Sequence, residues 1–265
     1  MKLFDSHAHY FDKKYDAVGS ADSVLQNDVF GADVERVINV GTNNKNSLIC
    51  IQQAARYDGM YAAVGIHPED IVYCGSISDE IGRLADIIGD AQNRTEKKIV
   101  ALGEIGLDYH YEGFDRALQA EYFDAQMELA HKLDLPVIIH DREAHGDCFE
   151  TVLRHKGVRG VFHSYSGSSE MAAELIKRGW YISFSGVVTF KNATRVREVV
   201  ATIPMDRLLI ETDAPYLAPH PYRGKINHSG LMRYTAEAIA EIKGVSAEDI
   251  SEITYNNAAE LFGIK

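Results

Sequence analysis

The chain of 265 residues has the length of one (β/α)8 barrel or of two ordinary domains. Its 46% apolar and 25% charged residues give the balance of a globular protein and exclude collagen, long disorder and a disulfide scaffold. A net charge of −12 disfavours non-specific coating of nucleic acid, yet leaves a phosphate substrate open, because divalent ions reverse the local sign.

The first predicted element is an apolar strand, Leu3–His9. Asp5, Ser6 and His7 interrupt it too early for a signal peptide, so a cytoplasmic protein is expected. His7 and His9 lie two apart, so both side chains share a face, and strand rise sets their Cα atoms about 6.6 Å apart. Runs of the same kind follow at Arg36–Thr42 and Tyr61–His67. His67 precedes Pro68 and has two readings, pocket lining or turn cap. Ile81, Leu84, Ala85 and Ile88 then recur at helical spacing. The fourth run, Ile99–Glu104, ends on a carboxylate. In the clearest helix, Leu118, Tyr122, Ala125, Leu129 and Leu133 share one face. Pro136 bars its continuation and opens the fifth run, Pro136–His140. Arg159–His163, Trp180–Gly186 and Arg207–Asp213 complete the series. Ser246-Ala247-Glu248-Asp249 reads as a capping box, followed by Ile250, Ile253 and Leu261. No apolar run approaches the roughly 18 residues of a membrane helix, so no membrane partner is expected.

Eight strands alternating with helices imply parallel βα units of about 33 residues each. The absence of GxGxxG after the first strand argues against a dinucleotide-binding sheet. Polar residues gather at the ends of different strands, where barrel active sites form. The expectation is an α/β chain with residues 1–265 in a single (β/α)8 TIM barrel and the site at the C-terminal mouth of its strands. His7, His9, Glu104, His140, His163 and Asp213 would surround that mouth. Four imidazoles and two carboxylates exceed one tetrahedral zinc and suit two divalent ions about 3.5–4 Å apart, with a carboxylate as the bridge. Cys50, Cys74 and Cys148 form no metal-type pair. His110, His131, His145 and His155 show no partner pattern and read as solvated.

Arg142 and Arg223 lie near the same rim and could grip phosphate bidentately, or make plain surface ion pairs. Tyr216, Tyr165 and Phe190 could stack on a base, or be partly buried loop aromatics. Glu211 shares strand parity with Asp213, which suits orienting a ligand or simple packing.

With these residues in view, the sequence resembles the TatD family of metal-dependent deoxyribonucleases, among the amidohydrolase-type metal barrels. The resemblance spans essentially the whole chain: Phe4-Asp5-Ser6-His7-Ala8-His9, Gly65-Ile66-His67-Pro68, Gly103-Glu104-Ile105-Gly106-Leu107-Asp108-Tyr109, Ile139-His140-Asp141-Arg142-Glu143-Ala144, Phe162-His163-Ser164-Tyr165-Ser166-Gly167, Glu211-Thr212-Asp213-Ala214-Pro215-Tyr216-Leu217 and a closing helix beginning Asn256-Asn257-Ala258. It implies that His7, His9, Glu104 and Asp213 bind one metal, and Glu104, His140 and His163 a second. Glu104 stands where other metal barrels carry a carbamylated lysine. The chain departs from the family pattern at Glu69, at Arg223-Gly224-Lys225-Ile226-Asn227-His228-Ser229 and at Tyr165.

The expected activity is hydrolysis of a DNA phosphodiester, from an end, with two divalent ions drawn from zinc, manganese, cobalt or magnesium. Asp213 would take the proton of the attacking water, and Glu104 would join it at the reacting centre. Arg142 or Arg223 would hold spare phosphate oxygens, and His67 and Tyr216 would line the substrate. The partner is a DNA end, with no obligate protein partner evident. Rival readings are a two-metal hydrolase of a small ester, amide or lactone, an aminoacyl-tRNA deacylase, and a non-catalytic metal module.

Overall fold

The computed structural model describes residues 1–92 and 98–265. All eight predicted runs form strands: β1 (Leu3–Ala8), β2 (Val34–Val40), β3 (Met60–Val64), β4 (Ile99–Asp108), β5 (Val137–Arg142), β6 (Gly160–Phe162), β7 (Tyr181–Phe184) and β8 (Leu208–Ile210). They follow one another in sequence order in one sheet, with helices between them. This is the (β/α)8 barrel class expected from the sequence.

The chain divides into two compact units. The first comprises Met1–Asn39 and His163–Lys265 and holds the strand succession β7-β8-β1-β2. Ile182 pairs with Leu208 and Phe184 with Ile210, while Leu3 pairs with Val34 and Ala8 with Asn39. The first and last strands meet within this unit: Ala8 bridges Ala214, and Asp213 N–H donates to the His7 carbonyl at 2.9 Å. All six residues of β1 are buried, as parallel strands covered on both faces require. The helix Ala247–Phe262 covers this sheet, with Phe4 edge-on to Tyr255 at 5.7 Å. It opens with the expected capping box: Ser246 Oγ accepts from Asp249 N–H at 3.0 Å, and Asp249 accepts from Ser246 N–H at 3.1 Å.

The second unit, Val40–Phe162, carries β3 to β6. Here β4 outruns its expected end at Glu104 by four residues, buried throughout to Asp108. Gly106 pairs with His140, and a Cβ at Gly106 would run into the His140 carbonyl oxygen. Only glycine lets β4 pass β5 this closely, and its φ of 143° is open to glycine alone.

The helix Arg116–Leu133 starts at Asp115, whose carboxylate accepts from Ala117 and Leu118 N–H at 2.9 and 3.1 Å. Its buried face is rotated from the one the apolar spacing predicts. Tyr122 and Leu129 are inside, but so are Gln119 and Gln126. Gln119 clamps the backbone of Asp108, accepting from its N–H and donating to its carbonyl, both at 2.9 Å. Gln126 does the same for Ile66, at 2.7 and 3.0 Å. Both amides are thus paired through oxygen and nitrogen alike, as buried polar groups require, and they fix the backbone beside His67 and at the end of β4. No helix among the described residues is long and apolar enough to cross a membrane.

Candidate metal centre

In the first unit, His7 in β1 and His9, just past its end, point to one place, as their spacing predicts. Their Nε2 atoms are 3.0 Å apart, and Asp213 Oδ1 lies 3.7 and 3.3 Å from them. Three potential ligand atoms therefore converge on one point. The His163 ring stacks on His7 at 4.0 Å, and its Nδ1 meets Glu211 Oε1 at 3.2 Å. Glu211 Oε1 also accepts from Ser164 N–H at 2.8 Å. Its other oxygen, Oε2, is buried with no hydrogen-bond partner. A buried carboxylate oxygen left so is costly unless a cation satisfies it. His7, His163 and Glu211 each offer a ligand atom within 4.8 Å of the others, so this donor set fits a divalent ion.

Asp5 fixes the set from beneath. Its Oδ1 accepts from the His7 and Thr212 N–H groups at 3.2 and 3.0 Å, and its Oδ2 from the Thr212 hydroxyl. Burial pushes the Asp5 carboxyl up to about 7, against the lowering effect of hydroxyl donors on Ser229 and Thr212. Asp213 follows with a left-handed φ of 56°, a strained conformation that turns its side chain toward the histidines. Burial alone would raise its carboxyl, but the hydrogen bond and charge of His9, with His7 and His163, hold it below its ordinary value.

The second unit gathers His67, Glu104 and His140, again with ligand atoms within 4.8 Å of one another. His140 Nδ1 lies 2.7 Å from Glu104 Oε1 and its Nε2 2.9 Å from Asp108 Oδ2. His67 Nε2 is 3.6 Å from the same Glu104 oxygen, while its Nδ1 accepts from Glu69 N–H at 3.1 Å. His67 thus joins the donor set and also holds a turn. Asp108, fully buried, would be raised by burial, yet the His140 hydrogen bond and charge hold it low. A carboxylate behind a metal-facing histidine fixes the ring's tautomer and orientation.

Other expected site residues take different places. Arg142 Nη1 is 3.9 Å from Asp108 Oδ2, and its guanidinium lies over Tyr111. Arg223 is exposed and sits 4.5 Å over Phe190. Tyr216 stands edge-on to His9 at 6.4 Å, donates to Asp12 and carries the Lys14 ammonium 3.7 Å over its ring. Tyr165 is buried, donates to the Ser168 carbonyl at 2.8 Å and packs edge-on to Phe184, so it is a core residue, not a stacking platform. His110, His145 and His155 are not merely solvated. They face Glu143, Asp141 and Asp124 at 2.7, 2.8 and 2.8 Å. His131 is exposed, as expected.

Reading the sequence by residue type missed Asp108 and Asp5. Both were open to strand parity: Asp108 is four residues on from Glu104 and Asp5 two before His7.

The model of the family described as TatD-related DNase matches residues 4–263. The chain belongs to this family. The TatD resemblance carried by the sequence motifs is thereby borne out. The chain is 41% identical to the uncharacterized metal-dependent hydrolase YabD of Bacillus subtilis, over 99% of both chains. It is 37% identical to the uncharacterized metal-dependent hydrolase YcfH of Escherichia coli K12, over 100% of this chain and 97% of the relative. Among solved structures, the TatD homologue YjjV of Escherichia coli K12 superposes with a TM-score of 0.90 at 28% identity, covering 99% of this chain and 98% of its own. This protein is accordingly a TatD-family metal-dependent hydrolase, and its candidate His/carboxylate sets suit that chemistry.

Proposed function

We propose that this hydrolase cleaves DNA phosphodiester bonds from a strand end, with residues 1–265 acting as one catalytic domain and two divalent ions bound. The observation that carries the proposal is a His/carboxylate donor set in each unit, together with the whole-chain match to a family described as TatD-related DNase. His7, His9, Glu104 and Asp213 would hold one ion, and Glu104, His140 and His163 the other. When bound, such ions would supply Lewis-acid polarisation of the phosphoryl group and a more acidic water.

The chain's own residues do the rest. Asp213, kept charged by its histidine neighbours, takes the proton of the attacking water. Asp5 and Thr212 hold the His7 and Asp213 backbone in register. Glu211 orients His163, and Asp108 orients His140. Arg142 donates to the phosphate oxygens that do not react. The outward position of Arg223 over Phe190 suits a contact farther along the strand.

The deciding experiment digests end-labelled single-stranded DNA with and without added manganese, zinc or magnesium, beside a soluble phosphodiester, an ester and a lactone. Metal-dependent release of nucleotides from one end supports the proposal. Turnover of the ester or lactone with intact DNA would replace it with the small-molecule reading.

A further inference from the structure

We infer that Tyr111 is a base-stacking residue, set beside Arg142 to hold the nucleotide that adjoins the scissile phosphate; the inference rests on the nuclease reading above. Where β4 ends at Asp108 the chain enters an aromatic turn. Tyr109 is anchored there. Its N–H donates to the Arg142 carbonyl at 2.9 Å, its hydroxyl donates to Asp147 at 2.7 Å, and the Arg116 guanidinium covers its ring at 4.3 Å. Tyr111, two residues on, is 49% exposed. Its ring is braced by edge contacts with His110 at 4.9 Å and Phe114 at 6.3 Å, and His110 is itself held by Glu143. An aromatic ring braced at its edges yet half in solvent contributes little to a core, but it is preorganised to receive another flat ring.

Its position connects it to the donor set. The Arg142 guanidinium lies 5.2 Å from the Tyr111 ring centre. Arg142 Nη1 is 3.9 Å from Asp108 Oδ2, too far for a hydrogen bond, and Asp108 Oδ2 is 2.9 Å from His140 Nε2. A phosphate held by Arg142 would therefore leave its base beside Tyr111. A chain of net charge −12 cannot hold a polyanion by its overall field. It needs local holds, a guanidinium for the phosphate and a π-face for the base.

The test measures dissociation constants of the metal-loaded enzyme for a short phosphorothioate-linked single-stranded oligonucleotide and for an abasic strand of the same length. Wild type should prefer the base-bearing strand by roughly 5- to 100-fold, the range of one stacked base. Tyr111→Ala should erase that preference while leaving abasic binding unchanged. Tyr111→Phe should keep it, and Arg142→Ala should weaken both strands together. No base preference in wild type, a preference that survives Tyr111→Ala, or an equal loss on both strands in Tyr111→Ala would overturn the inference. Cleavage of natural DNA is followed in parallel. Absent cleavage with the base preference intact would sink the nuclease reading and leave Tyr111 as a nucleobase contact.

Discussion

At the scale of single residues, the candidate metal-site histidines stood out because each lies at the end of an apolar run, where a polar group needs a reason. Their supporting carboxylates were harder to see. Asp108 lies beyond the residue at which the fourth run stops looking like a strand, and Glu211 was balanced between orienting and packing. Glu211 is the sharper case for experiment. Glu211→Gln keeps the shape but exchanges a charged oxygen for an amide, so metal affinity should fall about 10- to 100-fold, the usual effect of losing such a supporting group. Metal titration by calorimetry measures it, and unchanged affinity would return Glu211 to packing. Glu104→Ala should lower bound metal per chain and abolish turnover, read by elemental analysis beside an activity assay. Wild-type values in both would remove Glu104 from the site. His228 gives a pH prediction. Burial holds its imidazole below its ordinary value, opposed by the Asp28 carboxylate. A base depressed by folding contributes stability that is present above its unfolded pKa of 6.5 and lost as pH falls through the folded value. On acidification from about pH 7 to 5, the urea midpoint should therefore drop less in His228→Asn than in wild type. Equal drops would show that this imidazole does not drive the acid limb.

At the scale of elements, all eight strands could be read because buried parallel strands are short, continuous apolar runs with turn residues between them. Their ends could not. β4 continues past Glu104 because Gly106 lets it lie against His140 and Gln119 caps its last residue, and both are long-range facts. The helix Arg116–Leu133 misleads apolar counting for a related reason. Two of its inward residues are glutamines whose partners are the backbones of Asp108, at the end of β4, and of Ile66, in the loop after β3, both invisible to a hydrophobic period. The capping box at Ser246 was legible because it is local. Ser246→Ala should cost about 1 kcal/mol of stability and leave metal affinity untouched, checked by urea unfolding with a metal titration beside it. A change in metal affinity would show that the helix Ala247–Phe262 does more than cover β1.

At the scale of the molecule, the carboxylates and imidazoles of each set crowd together and gain most from a cation. An ion that binds only the folded chain raises stability by mass action, by about 2.7 kcal/mol at a hundredfold excess over its dissociation constant. Thermal unfolding in chelator should therefore occur at a clearly lower temperature than in excess divalent ion. Coincident transitions would count against both donor sets. The division of the chain also has a temporal side. β1 emerges from the ribosome well before β8, and the residues that complete its second edge and satisfy Asp5 lie 207 positions downstream, at Thr212. At about 5–20 residues per second, that edge waits roughly 10–40 s for its neighbour. A nascent chain holding an apolar strand with one side unmet is prone to wrong pairing. The His7–His9–Asp213 set is equally a late product of synthesis, because Asp213 follows Thr212. Metal loading of that set is therefore tied to synthesis of β8 and Asp213, and a ribosome stalled before β8 would leave a chain with no assembled donor set in its first unit.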